Sequence, residues 1–410
     1  MRIIGMDIHR VAAEVVALCD GELVRLGRVP MLRERLEAFA REELTHDDHV
    51  VVEATGNAAA VVEVLAPFVD RVVIANPKQV RLIAHAKIKT DGIDASVLAK
   101  LYATGFLPEV WIPDRQTQAL RRQVARRTQL VRQRVRLKNL IQSVLHAHLI
   151  PPCPHGNLVG ISGRKWIARQ VVPLDERLAI ERHLGQIDMI EGALKTVEAD
   201  IANAAMSDPT VRRLMTLPGV DMTVAVGVAA AIGEIRRFSD PRKLVSYFGL
   251  NPSVRQSGEG PAYHGRITKQ GRGQARGMLV EAAWAATRSP GPLRAFYQRI
   301  AARRGKHIAA VATARKLAMI AWHMLTKEAD YIWARPGLMA RKFRAVELRA
   351  GLPSEHAKRG DAYDYNIPAK RAAERVRCEE AERHYTRFTS RWRAHGNSKH
   401  PPPKKTSPVA

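Results

Sequence analysis

The chain has 410 residues, 66 Lys and Arg against 40 Asp and Glu, and a formal charge of +26. A hydrophobic share of 46% leaves ample material for real cores and excludes a disordered basic tail protein. Three scattered cysteines (Cys19, Cys153 and Cys378) exclude a disulfide framework. No apolar run approaches the ~20 residues of a bilayer span, and Met1 to Asp7 lacks a signal-peptide pattern. The expectation is a cytoplasmic protein of two or three domains with a polyanionic partner and no membrane.

The charge is uneven. Residues 1–112 hold 13 Lys/Arg and 16 Asp/Glu, so the rest of the chain carries +29. The basic stretches contain few Phe or Leu wedges, which favours nucleic acid over lipid.

In chain order, Arg2 to Asp7 reads as a strand ending in a carboxylate. Arg10–Cys19 and Leu23–Val29, split by Gly21, read as a hairpin. Leu32–Leu44 has helical spacing. His49–Glu53 is a strand that again ends in a carboxylate. Gly56–Pro67 reads as a helix, Arg71–Ala75 as a strand, and Asn76-Pro77 opens a further helix. The order predicts an α/β domain over residues 1–112 with a mixed sheet, the pattern of ribonuclease-H-like nucleases.

Residues 113–205 form a basic region. Arg115 to Leu174 contains no Asp or Glu and 12 Lys/Arg. Arg115–Leu149 reads as one long helix, stopped by Pro151-Pro152. A second helix is expected over Asp175–Ala205, with Ile180, Ile187, Leu194 and Ile201 in a seam near heptad spacing. The pair is predicted to form an antiparallel coiled-coil arm or to pair with a second subunit. Residues 206–330 read as a helical module. In it, Leu217-Pro218-Gly219-Val220 before Thr223–Ile232 looks like a helix-hairpin-helix whose turn offers backbone N–H groups to a phosphate. Ser239-Asp240-Pro241 opens a helix that ends near Gly249, Asn251–Thr268 is loop or hairpin, and 272–288 and 307–326 are helices. Residues 331–410 read as a charged tail of helix fragments, partly disordered, ending in Pro401-Pro402-Pro403-Lys404-Lys405.

Asp7 and Glu53 close two strands, and Asp91 and Asp94 share one face at a helix start. If the two strands are neighbours, the four carboxylates converge. Four like charges in one place need cations, and hard oxygen ligands favour Mg²⁺ or Mn²⁺. Two such ions suit phosphodiester exchange. The bland alternative is a set of caps and solvated surface groups. Lys87 and Lys89, just before the Asp pair, either hold a phosphate or are solvated. His9 lies two residues past Asp7 and is read as structural.

Ser257, in Gln256-Ser257-Gly258, offers an accessible hydroxyl on a basic loop, with Arg255, Arg266 and Lys269 as cations for developing charge. A flexible turn is the competing reading, and Ser246 and Ser253 are rival serines. Arg121, Arg122, Arg126 and Arg127 are candidate phosphate contacts in the acid-free stretch. His146, His148, Cys153 and His155 could in principle hold zinc, but three nearby prolines and a lone Cys argue against it.

Several stretches together resemble the transposases of the insertion-sequence one-ten family. They are Gly5-Met6-Asp7-Ile8-His9, Val51-Val52-Glu53-Ala54-Thr55-Gly56 and Lys89-Thr90-Asp91-Gly92-Ile93-Asp94-Ala95. Then follow Leu217-Pro218-Gly219-Val220, Phe238-Ser239-Asp240-Pro241, Phe248-Gly249-Leu250-Asn251-Pro252, Gln256-Ser257-Gly258, Gly265-Arg266-Ile267-Thr268-Lys269 and Ala314-Arg315-Lys316-Leu317. The set runs in the family's order over roughly residues 1–330. The resemblance implies a RuvC-like domain with Asp7, Glu53, Asp91 and Asp94 as its metal-binding tetrad, a coiled-coil region, and a transposase domain with Ser257 as the catalytic serine. It also implies a 5′-phosphoserine bond to DNA, a composite site across subunits of a tetramer, and a structured bridge RNA that pairs with donor and target DNA. Gly92 stands where the family usually carries a larger residue, often Arg.

The expected function is therefore a DNA transposase or recombinase acting as a homodimer or homotetramer. The rivals are a RuvC-type structure-specific endonuclease that uses water, and a non-catalytic nucleic-acid-binding protein.

Overall fold

The computed structural model describes residues 1–84, 90–258, 260–353 and 361–396, and divides into two compact units, residues 1–114 and the chain from residue 115 on. Lys87, Lys89 and the Pro/Lys tail lie outside the described residues.

Unit 1 follows the predicted alternation. Strands β1 (Ile3–Ile8), β2 (Ala12–Cys19) and β3 (Glu22–Pro30) lead into helix α1 (Arg33–Glu43), then β4 (His49–Glu53) and α2 (Ala58–Leu65). Strand β5 (Arg71–Ala75), α3 (Pro77–Ile83), α4 (Asp91–Ala103) and a two-residue strand β6 (Glu109–Val110) complete it. The sheet order is β3-β2-β1-β4-β5-β6. Strands β1, β4 and β5 run parallel, while β2, β3 and β6 pair antiparallel. Because successive side chains leave a strand on opposite faces, Ile4, Met6, Ile8, Val50 and Val52 enter the core shared with Leu36, Phe39, Val61 and Leu65 of α1 and α2. Ile3, Val51, Val73 and Ala75 face Leu98 and Ala99 of α4. At the start of β4, Tyr102 of α4, His49 and Asp70 form a hydrogen-bonded chain with both spacings 2.8 Å, which ties α4 to the sheet.

Gly5 sets how closely α4 approaches. A Cβ there would stand well under 3 Å from the carbonyl oxygen of Ala95. Gly5→Ala is therefore expected to push α4 off the sheet and cost about 1–3 kcal/mol through overpacking. Thermal unfolding checks this; an unchanged midpoint would mean that the helix shifts without cost.

Unit 2 begins with α5 (Arg115–Ala147), α6 (Ile161–Ala168) and α7 (Leu174–Met206). The helices α5 and α7, each 33 residues and about 50 Å long, lie antiparallel. Arg127 pairs with Glu198 and Arg134 with Glu191, seven residues apart on both helices. Ile180, Ile187, Leu194 and Ile201 are buried at the same interval. The short α6 was not foreseen in the Pro-rich link; Ile167 and Val159 pack it onto Ile141, Leu145 and Ile180.

Helices α8 (Pro209–Met215), α9 (Met222–Ile232) and α10 (Pro241–Tyr247) are capped by Asp208, Asp221 and Asp240. The hairpin β7 (Pro252–Arg255) and β8 (Tyr263–Ile267) precedes α11 (Gly273–Ala286), α12 (Pro292–Arg304) and α13 (Lys306–Thr326). Helix α9 is buried along its whole length. Contrary to the expectation from sequence, α13 is long and apolar enough to span a bilayer, but half of its apolar window is buried, with Ala314, Leu317, Ala318 and Ala321 in the unit's core.

The turn between α8 and α9 differs from the phosphate-facing hairpin expected there. Gly219 (φ +79°) rests against the Ala282 carbonyl of α11, where any Cβ would clash. The Val220 N–H donates to Leu217. Lys342 Nζ donates to the carbonyls of Met215, Leu217 and Val220 at 2.7, 3.1 and 2.8 Å. Burial brings the Lys342 ammonium down to about 8. The turn is thus a packed, carbonyl-lined socket for a lysine.

The C-terminal part is also more ordered than a tail. Helices α14 (Pro336–Arg349), α15 (Asp361–Asp364) and α16 (Pro368–Gly396) follow, and Val346, Cys378 and Ala381 are buried. Glu382 of α16 accepts from the Gly291 N–H at the start of α12 and from Arg294. Glu374 accepts from the Gly337 N–H at the start of α14. Each carboxylate meets unsatisfied amides at the positive end of a helix.

Candidate active site

Period-two alternation puts Gly5 and Asp7 on the same face of β1, and Val51 and Glu53 on that same face of β4. The parallel register sets Gly5 beside Val51 and Met6 beside Val52, so Asp7 and Glu53 leave neighbouring strand ends together. The close approach at Gly5 brings the first turn of α4 over this end. Thr90 caps α4 by accepting from the Ile93 N–H at 3.3 Å, and Asp91 and Asp94 lie in that turn, where the helix dipole favours negative charge.

Asp7 is 7% exposed. Its carboxyl is raised above the usual range, first by burial and then by the charges of Asp94 and Asp91, against a lowering influence from His9. His9 Nε2 lies 3.1 Å from Asp7 Oδ2 and 3.4 Å from Asp91 Oδ1. Asp7, His9 and Asp91 each present a ligand atom within 4.8 Å of the others, and are the group of this kind found among the described residues. Asp94 is near enough for its charge to act on Asp7, and Glu53 shares the face, but neither belongs to that tightest trio. His9 is the site residue that sequence reasoning set aside. The signal was present, since residues 5, 7 and 9 form a single period-two stripe. His146, His148, Cys153 and His155 do not assemble into such a group.

The donor set suits a hard divalent cation. A buried carboxylate whose ionisation is opposed by its neighbours is relieved by one, and Asp7 and Asp91 already stand within reach of a common ion.

In unit 2, Ser257 is exposed in the loop joining β7 and β8. Gly258 takes the left-handed conformation (φ +57°) that turns the loop, and Gln256 Nε2 donates to the Gly260 carbonyl at 3.3 Å. Arg255 pairs with Tyr263 across the hairpin, and Arg266 lies on β8 opposite a shift in the strand register between Pro252 and Val254. Lys269 holds a left-handed φ of +56°, and its N–H donates to Gly249 at 3.2 Å. Of the rival serines, Ser246 is exposed on α10, and Ser253 on β7 lies over Gly265.

The four arginines of the acid-free stretch divide into two pairs. Arg121 donates to the Ala230 and Ala231 carbonyls at 2.7 and 2.9 Å, closing the C-terminal end of α9, and burial, with Arg272 and Arg237, lowers its pKa. Arg127 is tied to Glu198 of α7 at 2.7 Å. Arg122 and Arg126 are exposed. Arg121→Gln is therefore expected to cost about 1–3 kcal/mol of stability, because buried carbonyls lose a donor. Arg122→Gln and Arg126→Gln should leave the melting temperature alone and each lower the salt slope of nucleic-acid binding by about 0.7–0.9. Melting curves and binding titrations separate the two pairs; equal behaviour would refute the division.

A sheet ending in clustered carboxylates, in a chain whose other unit is strongly basic, is the frame of an enzyme that acts on nucleic acid. Residues 211–298 match the family model described as Transposase IS116/IS110/IS902 family, and residues 4–150 match a second model described as Transposase, of the DEDD type of that family. Between them the two matches take in more than half of the chain. The chain is similar to a putative transposase, y4qE, of Sinorhizobium fredii, 35% identical over 198 residues that make up 48% of either chain. It is similar to the transposase for insertion sequence element IS1111A of Coxiella burnetii, 24% identical over 81% of this chain and 91% of that one. A probable family 20 transposase of Pseudomonas aeruginosa is 26% identical over 63% of this chain and 79% of its own length. The chain belongs to the IS116/IS110/IS902 family of transposases, enzymes that act on DNA.

Proposed function

We propose that this transposase cuts and rejoins DNA through a phosphoserine intermediate, with Asp7, Glu53, Asp91 and Asp94 holding Mg²⁺ or Mn²⁺ and Ser257 as the nucleophile. The observation that carries the metal role is the shared face of Asp7 and Glu53 beneath the Asp91–Asp94 turn, with the Asp7 carboxyl raised by burial and by its acidic neighbours. The serine assignment is supported by an exposed hydroxyl on a Gly-turned loop, flanked by basic residues.

When bound, the cation supplies charge neutralisation at the phosphoryl oxygens. The carboxylates fix where it can sit, and His9 orients Asp7 through its hydrogen bond. Ser257 Oγ attacks phosphorus, so the Oγ–P bond forms and the P–O3′ bond breaks. The serine proton leaves to solvent, and the departing O3′ takes up a proton. Attack by the 3′ hydroxyl of another strand reverses these changes and releases the serine. Arg255, Arg266 and Lys269 are proposed to meet the strand's phosphates. A structured noncoding RNA is proposed to choose donor and target DNA, and the active form is proposed to be a homodimer or homotetramer in the cytoplasm.

The test is to incubate the full chain with element-end DNA and Mg²⁺ and run the products on a denaturing gel. A protein–DNA adduct that forms with Mg²⁺ and is absent in EDTA is the expected result. Free cut ends without an adduct would replace this reading with water-driven hydrolysis.

A further inference from the structure

Two adjoining cavities of about 460 and 390 Å³ lie along α5 in unit 2 and share Ala125 and Gln274 in their walls. Their linings include Arg122, Arg132, Arg136 and Arg272 and no Asp or Glu. At 100° per residue, Arg122, Arg132 and Arg136 fall within about 80° of one another around α5, so they form one stripe. All three are exposed.

The opposite wall is the start of α11. Gln274 Nε2 donates to the Val124 carbonyl at 3.0 Å and to Thr128 Oγ1 at 2.6 Å, clamping that start against α5. Gly227 of α9 lies so close to Met278 that a Cβ would clash, which packs α9 against α11 beside the groove. Gly271 (φ +107°) presses on the Tyr247 carbonyl, and Arg272 Nε donates to the Tyr247 hydroxyl at 2.9 Å. No side chain caps α11. Its first-turn amides therefore add to the same positive field, in support of the arginine stripe rather than in place of it.

We propose that this groove binds the phosphodiester backbone of a nucleic-acid strand through Arg122, Arg132, Arg136 and Arg272. Arg122 to Arg136 spans about 21 Å along the helix, long enough to meet several phosphates of one strand. An acid-free wall, arginines along one stripe and rigid backing suit an extended polyanion. Glutamine heads (Gln129 and Gln133) complete the polar floor. This inference rests on the proposed reading only for the nucleic-acid substrate, and it stands whether or not Ser257 is the nucleophile.

Binding of the full chain to a fluorescent 30-nucleotide DNA strand and to RNA of the same sequence would be measured in EDTA, so no chemistry intervenes. Salt is varied from 50 to 200 mM. The triple change Arg122→Gln, Arg132→Gln, Arg136→Gln is compared with Arg182→Gln, Lys195→Gln, Arg303→Gln, which removes the same charge from exposed sites elsewhere in unit 2. The groove variant should lose about 2 units of salt slope, from ~0.7 per lost contact on a single strand, and at least tenfold in affinity, with the control near wild type. Loss on DNA alone, RNA alone or both supports the groove and says which strand fills it. Equal loss in groove and control variants, or no loss on either strand, overturns it. Arg122→Lys, Arg132→Lys, Arg136→Lys keeps the charge and should keep the slope; if it falls as the Gln variant does, the effect is structural and the proposal fails. A missing adduct in the gel experiment with these binding results intact would overturn the serine chemistry and leave the groove standing.

Discussion

Asp7→Asn is expected to abolish DNA cleavage and, at neutral pH, to make the metal-free protein more stable than the wild type. The Asp7 carboxyl is raised, chiefly by burial and further by Asp94 and Asp91. A carboxyl raised in the folded state contributes stability below its unfolded pKa and loses it as pH rises through the folded value. At pH 7 the buried charge therefore works against the fold. Asn removes that charge and keeps an oxygen that can accept from His9. Each unit of raised pKa corresponds to about 1.4 kcal/mol, or about 6–11 °C in the melting point of a domain near 100 residues. Mg²⁺ or Mn²⁺ should raise the wild-type midpoint by binding the folded state and should leave Asp7→Asn unmoved. Melting curves from pH 4 to 8, with and without cation, read all three effects. A variant less stable than wild type at pH 7, or one that still gains from the cation, would remove Asp7 from the site.

Ser257→Ala should lose the adduct and rejoining together, on the order of 10³-fold or more, as when a nucleophile is deleted. The side chain is exposed, so the fold and nucleic-acid affinity should stay within error. One hydroxyl contributes nothing to the charge that drives binding. Ser246→Ala and Ser253→Ala belong in the same series because both rival serines lie near that loop in sequence. Ser253 lies over Gly265 within the hairpin, so its change should at most loosen the strands. If Ser257→Ala still forms adduct while one of the others does not, the nucleophile moves to that serine. If all three recombine, water takes its place.

Most of unit 1 was legible because its strands are short apolar runs separated by polar turns, and two of those runs, β1 and β4, carry the carboxylates Asp7 and Glu53 at their ends. The order Asp7, Glu53, Asp91, Asp94 could be read without a structure. What the sequence did not reveal was how α4 is brought over them, a matter of one glycine. His9 was discounted although it continues the stripe of Gly5 and Asp7. In unit 2, four neighbouring arginines looked equivalent on paper. Their jobs separate only when α9 and α7 bring carbonyls to Arg121 and a carboxylate to Arg127 from 71 to 110 residues away. The same distance in sequence hid α16. Its charged surface shows few apolar positions beyond Cys378 and Ala381, and the polar contacts that help fix it, through Glu374 and Glu382, reach residues 37 to 91 positions away.

Those two glutamates set an order of events during synthesis. Unit 1 is a compact body formed by the first 114 residues, so it can assemble while the rest of the chain is still being made. Helices α12 and α14 cannot reach their final state until residues 374 and 382 have emerged. A product stopped before Pro368 would therefore carry an intact carboxylate cluster beside a helical body lacking its last brace. Such a shortened protein should still take up divalent cations while melting early and exposing apolar surface. A frameshift just before Pro368 would thus be far from silent, although it leaves every proposed reacting group in place.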